Sequence, residues 1–216
     1  MLLFDQLTQL DLTGPHEVLA RLPGATVHLV ARTREPVRSE TGLAILPTAT
    51  FADVPRADLL FVPGGWGQVA AGDHAETLAW LRAVGATASW VTSACTGALL
   101  LGIAGLLEGY RATTHWAFHD LLSLVGATPV HERVVLDRNR ITGGGVTAGI
   151  DAALIIAERT CGRAVAEAIQ LQLEYDPQPP FTAGHPRTAD PALVAQARER
   201  VAARYEARKR QLTGSD

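Results

Sequence analysis

The stretch WVTSACTGALLLG, Trp90–Gly102, sets a cysteine between a β-branched run and a helix-forming run. The β-branched run in ASWVTSA suits a strand and GALLLGIAGLL an apolar helix, so Cys95 falls on the turn between them. Two readings fit a cysteine there. It is a small buried hydrophobe, or it is a nucleophile displayed on a strand-to-helix elbow. A helix N-terminus lowers the pKa of a thiol placed against it, and its unpaired N–H groups stabilise negative charge that develops on a substrate. Gly97 permits close packing of such an elbow, as in serine hydrolases. At this level both readings stand. Cys161 is the contrast: in RTCGR, Gly162 reads as the residue just past a helix, which leaves Cys161 at the negative end of a dipole and in a structural role.

Working outward from the elbow, strand-like and helix-like segments alternate. LLF opens a strand, and DLTGPHEVLARL reads as a helix that Asp11 or Thr13 caps, with Pro15 in its first turn. ATVHLVA is a strand, and VRSETGLAILPTATF is extended structure around a Thr41–Gly42 turn. ADLLFVPGG is an apolar strand ending at Gly64–Gly65; HAETLAWLRAV is a helix and ASWVTSA a strand. GALLLGIAGLL and HDLLSLV are helical, RVVLD and RITGGG form a strand pair, and TAGIDAALIIAERTCG is a long buried helix. RAVAEAIQLQLEY and PALVAQARERVAARYEARKRQ follow as helices, the last with mixed charge, solvated or in contact with a second subunit. Apolar strands alternating with helices predict an α/β fold, with a mostly parallel sheet covered on both faces. Ligands in such folds bind beyond the carboxyl ends of the strands. Gly64–Gly65, Cys95–Thr96–Gly97 and Gly143–Gly144–Gly145 all fall at those ends. The first strand has only three or four residues before Asp5, against the usual five or six; either it is short or the chain as read starts inside it.

Composition narrows the function classes. The 216 residues are 47% hydrophobic with a net charge of -3, which fits one domain over residues 1–216 with a helical tail from about 190. No basic stripe with interleaved aromatics appears, which argues against nucleic acid. No apolar run reaches the ~18 residues that span a bilayer, and MLLFDQLTQLD has neither the positive start nor the cleavage site of a signal peptide. Two distant cysteines suit a reducing cytoplasm better than a disulfide framework. Neither lies in a CxxC or a Cys/His zinc spacing, so no metal is expected.

A nucleophilic cysteine needs a proton carrier. The residue after Cys95 is Thr96, where many cysteine enzymes of this architecture have histidine. His16, His28, His74, His131 and His185 read as surface or satisfied histidines; His115 and His119, four apart, share a helix face but find no carboxylate to complete a metal site. That leaves Asp11, in the loop after the first strand. It reads as helix cap, as proton carrier, or as both. The Thr96 hydroxyl suits the first helical turn and also a hydrogen bond to substrate.

TQLDLTGPHEVL, LLFVPGGWG, VTSACTGALLLGIAGLLEGYRATTHW, RITGGGVTAGIDAAL and AIQLQLEYDPQPPF together resemble the DJ-1/PfpI superfamily and, within it, the isocyanide (isonitrile) hydratases. PGG and AC-x-G alone carry only the superfamily. The Asp-Leu-Thr-Gly-Pro loop, Cys-Thr rather than Cys-His, and EYDPQPPF are more specific. The resemblance implies a flavodoxin-like three-layer sandwich, a homodimer, and hydration of a small-molecule isocyanide to an N-substituted formamide without metal or organic cofactor. It implies Cys95 as nucleophile, Thr96 beside it and Asp11 as the acidic partner. It matches Gly65 to a glycine whose backbone N–H faces the cysteine, with Gly64 and Gly97 completing the substrate-binding and oxyanion-binding turns. The alternatives are a redox- or ligand-sensing domain that uses the same cysteine, and a glyoxalase- or deglycase-like enzyme; Thr96 weakens a peptidase or amidotransferase reading.

Overall fold

A computed structural model describes residues 1–214. The chain runs α1 (Gln9–Leu19), β1 (Val30–Ala31), β2 (Val37–Arg38), β3 (Ala44–Ile45), β4 (Ala49–Thr50), β5 (Leu59–Val62), α2 (Gln68–Asp73), α3 (Ala75–Thr87), β6 (Trp90–Ser93), α4 (Gly97–Ile103) and β7 (Arg111–Ala112). A 3-10 helix (Trp116–Val125) follows, then β8 (Thr128–Pro129), β9 (Val134–Asp137), β10 (Arg140–Gly143), α5 (Ala148–Cys161), α6 (Arg163–Gln172) and α7 (Pro191–Thr213).

The central sheet has the order β5-β6-β10-β9, with β5, β6 and β10 parallel and β9 antiparallel at one edge. Phe61, Val62, Val91 and Ile141 are buried on these strands, as a sheet covered on both faces requires. The apolar start of the chain extends the sheet: Leu2 donates its N–H to Phe61 and Leu3 to Val30, so Met1–Phe4 lies between β5 and β1, and β1 pairs with β4. This segment is central in position but forms bridges rather than a full strand, as its few residues suggest. The antiparallel pair β2–β3 closes around Gly42, whose φ of 91° suits glycine alone. Helices α1 and α5 pack together, with α5 on β10, while α4 packs on β5 and β6 with α3 beside it. The architecture is the flavodoxin-like α/β sandwich.

Three local expectations change. ATVHLVA forms a strand only over its last two residues, and HDLLSLV lies in a 3-10 helix capped by the His115 side chain. Helix α1 begins at Gln9 rather than at Asp11 or Thr13. Asp11 is therefore the third helical residue, its N–H bonded to Thr8 O, and neither it nor Thr13 is the N-cap. The cap position falls to Thr8, whose hydroxyl instead donates to Glu40 (3.0 Å). Pro15 then lies inside the helix, past the first turn.

Candidate active site

The parallel strands β5, β6 and β10 deliver three turns to one end of the sheet. Ala94 N–H donates to Val62 O (3.1 Å), which ties the elbow to β5. Cys95 N–H reaches Gly143 O (3.1 Å) and Gly144 O (2.8 Å), which ties it to β10. The Thr114 hydroxyl donates to Cys95 O (2.7 Å). So held, Cys95 adopts φ 53°, a left-handed conformation that costs a non-glycine residue about 1–2 kcal/mol. The turn projects the side chain away from the strand line, as a nucleophile elbow does. Cys161 ends α5 and has no such environment.

Helix α1 brings Asp11 to the same point. Its carboxylate accepts the Gly64 N–H (2.9 Å) and lies in hydrogen-bonding range of the Cys95 thiol. Asp11 is fully buried, and its second oxygen has no hydrogen-bond partner. Two glycines make room for this. A Cβ on Gly64 would stand 2.7 Å from Thr96 Oγ1 and 2.8 Å from Asp11 Oδ2; one on Gly65, where φ is 134°, would stand 2.4 Å from Thr8 N. Thr96 accepts the Gly65 N–H on its hydroxyl (3.1 Å) and directs its own N–H to the Cys95 sulfur. Gly97 N–H donates to Ala94 O (3.0 Å). The N–H groups of Gly64, Gly65 and Gly97 all donate to protein acceptors, and the backbone donor beside the Cys95 sulfur is Thr96 N–H.

Burial sets the electrostatics. It pushes Asp11 up to about 7, against the pull of the Gly64 N–H and the Cys95 hydrogen bond, with nearby Glu40 adding to the rise. Burial, followed by the negative charge of Asp11, pushes the Cys95 thiol well above the ordinary thiol range; the Thr96 N–H pulls the other way and loses. The expectation that the helix terminus favours a thiolate is therefore corrected: α4 has only seven residues, and desolvation outweighs its end. Both shifts favour the protonated forms, a thiol beside a carboxyl group that titrates at about 7.

Glu40 and Thr8 escaped the sequence reading. Glu40 lies in the β2–β3 hairpin, 29 positions from Asp11, and no spacing signals that the hairpin folds back against α1. The histidines are dispersed. His115 sits beside Gly145 with its Nδ1 accepting the Ala117 N–H, and burial lowers it to about 4, so it is neutral. His119 stacks on His131, ring centroids 3.7 Å apart, rather than pairing with His115. Among the described residues, no three His, Cys, Asp or Glu side chains group as a metal site does, and no helix is long and apolar enough to cross a membrane.

Similarity to known proteins runs through these elements. Isonitrile hydratase of Pseudomonas putida is 55% identical over 201 residues, 93% of this chain and 88% of that protein. The crystal structure of a ThiJ/PfpI family protein from Pseudomonas syringae superposes with a TM-score of 0.96 at 46% identity, covering 98% of this chain and 88% of that one. A helix-turn-helix transcriptional regulator of Pseudomonas aeruginosa is 31% identical over 185 residues, and the chain spans half of its length. The DJ-1/PfpI family model matches residues 1–159, which hold the elbow, the acidic residue and all three glycine-bearing turns; the chain belongs to the DJ-1/PfpI family.

Proposed function

We propose that the protein hydrates isocyanides to N-substituted formamides, with Cys95 as nucleophile and Asp11 as proton carrier. The observation that carries this reading is the buried Asp11 carboxylate set against the Cys95 thiol on a left-handed elbow. The 55% identity to an isonitrile hydratase supports the substrate class.

The residues suit each step. The terminal carbon of R–N≡C is electrophilic toward sulfur and basic enough to take a proton. As the S–C bond forms, Asp11 takes the thiol proton and returns it to that carbon, giving the thioimidate R–N=CH–S–Cys95. Asp11, again a carboxylate, takes a proton from water as its oxygen adds to the same carbon and passes that proton to the nitrogen, giving R–NH–CH(OH)–S–Cys95 and restoring the carboxylate. The C–S bond then breaks, C=O forms, the hydroxyl proton passes through Asp11 to the sulfur, and R–NH–CHO leaves. Charge on sulfur develops at both ends of the cycle, and Thr96 N–H is the donor placed to stabilise it. Gly64 holds the orientation of Asp11, and Gly65 that of the Thr96 hydroxyl. No step draws on a metal or organic cofactor.

The reading includes a homodimer in the cytoplasm. Leu171 on α6 and Phe181 after it, 82% and 79% exposed, are apolar surface that a second copy would cover, and both cysteines are free thiols. A ligand-sensing role draws support from the match to the regulator. Formamide release from a panel of alkyl and aryl isocyanides decides between catalysis and sensing. Turnover that Cys95→Ala abolishes supports the enzyme; binding without turnover returns the chain to a sensor.

A further inference from the structure

Helix α7 lies beyond residues 1–159 and has the composition of a solvated helix, yet it carries an arginine with no exposed surface. Arg208 donates from Nη2 to Gln68 and from Nη1 to Gln211, and its buried Nε has no partner. Burial lowers its pKa to about 9, with Asp73 opposing, so it is cationic at neutral pH. A buried cation held by neutral amides adds little to stability, and one use of such a group is to fix an arrangement. Neighbouring contacts show which one. Gln211 donates to Val69 O (3.0 Å) and to Asp73, and a Cβ on Gly72 would stand 3.0 Å from Arg208 Nη1. One turn earlier, the Arg204 guanidinium lies 3.7 Å from the centre of the Trp66 ring. The end of α7 therefore grips residues 66–73, the segment that leaves the Gly64–Gly65 turn.

From there the contacts run to the site without a gap. Gln68 is 2% exposed, and its N–H donates to Gly65 O (3.3 Å). Gly65 N–H donates to Thr96 Oγ1, and Gly64 N–H to Asp11. Gly67 N–H, between them, is fixed by Gln6 O (3.1 Å).

We propose that Arg208 is a positioning residue for the Asp11–Cys95 pair, acting through Gln68 and the Gly64–Gly65 turn. It is buried away from substrate and bears on the chemistry only through where it holds these two peptide groups. The proposal rests on the Asp11–Cys95 reading, and its test has a readout independent of isocyanide turnover. In a Cys161→Ser background, the rate of Cys95 alkylation by iodoacetamide is followed against pH for the parent, Arg208→Met, Gln68→Met and the double variant, beside melting temperature and formamide kinetics. Loosening the turn admits water to the pair, so both single variants should move the alkylation midpoint down toward the ordinary thiol range. They should lower kcat roughly two- to thirty-fold, the span seen for residues coupled through a contact chain, with KM little changed. The double variant should be no worse than the poorer single one, because both break the same chain. Unchanged alkylation profiles in the folded variants, or losses that add in the double variant, overturn the proposal. Gln68→Met leaves the Arg204–Trp66 and Tyr205–Asp120 contacts in place, so it decides alone if Arg208→Met does not fold. Shifted profiles without isocyanide turnover in the parent sustain the latch and remove the hydratase reading; turnover with unshifted profiles does the reverse.

Discussion

On the proposed mechanism, Cys95 and Asp11 share one proton in the productive state. With two protons on the pair there is no base to deprotonate the thiol; with none there is no proton to give to carbon. Since Asp11 titrates at about 7 and the thiol well above its ordinary range, kcat/KM should rise with pH through about 7 and then hold a plateau. A profile that falls through that region would reverse the roles. Cys95→Ser should abolish turnover, while Cys161→Ser, at the far end of α5, should leave kcat/KM within a few-fold. Asp11→Asn keeps the acceptor for Gly64 but carries no proton, so kcat should fall roughly 10²–10⁴-fold. Stability should move the other way. Folding holds a proton on Asp11 up to about 7, against an unfolded value of 3.8, so the native state loses stability as pH rises across that interval. The loss is on the order of a few kcal/mol. The melting temperature of Asp11→Asn minus that of the parent should therefore grow with pH between those values. A flat difference would mean that the carboxylate is better solvated than its burial implies.

At the scale of elements, α4 can start where it does because Gly97 lies directly on the end of β5. A Cβ there would stand 2.2 Å from Val62 O and 2.8 Å from Pro63 O, and the Val62 carbonyl cannot swing aside without losing the Ala94 N–H that it accepts. Gly97→Ala should cost about 1–3 kcal/mol or more by overpacking, which for a chain of this length lowers the melting temperature by roughly 2–4 °C per kcal/mol. A thermal scan showing parental stability would mean that the elbow has slack. The elements that the sequence declared best are those whose pattern is local. WVTSACTGALLLG names a strand, a turn and a helix through β-branching, glycine and apolar run, and each lies where expected. Helix α1 was misplaced at its start because Asp11 and Thr13 are good capping residues by type. Their side chains are engaged elsewhere, Asp11 with Gly64 and Thr13 with Gln9, and no local pattern reveals a contact 53 residues away. The buried Arg208 was hidden for the same reason, inside a helix whose composition is that of a solvated one.

Across the whole molecule, the alternation of strands and helices was enough to put three turns at one end of a parallel sheet, and so to bring Cys95 and Asp11 together on paper. The alternation does not say which donors remain free once the turns meet, because that depends on distances of a few tenths of an ångström. It is equally silent on the cavity of about 480 Å³ at the other end of the sheet, lined by Met1, Val30, Leu60, Trp80 and Cys161 and remote from Cys95. Stability is uneven in a way that the contacts make testable. Residues 177–189 form no helix or strand, and their described hydrogen bonds are all local, as between Gln178 and Asp176 or Thr188 and His185. Such a segment opens at almost no free-energy cost. Arg187, exposed within it, should be the first bond cut by trypsin, because most other arginines lie in helices or strands whose opening costs more. The cut separates residues 1–187 from a piece carrying α7. That piece is still held by Arg208 on Gln68, by Arg204 on Trp66 and by Tyr205 on Asp120, and Phe118 packs against Tyr205 with ring centres 6.1 Å apart. Size-exclusion chromatography in native buffer should therefore elute the two pieces together, and only denaturant should part them. A first cut elsewhere would show that 177–189 is covered in solution, as by a second subunit. Immediate loss of the α7 piece would show that these contacts are too weak to hold the helix without the chain.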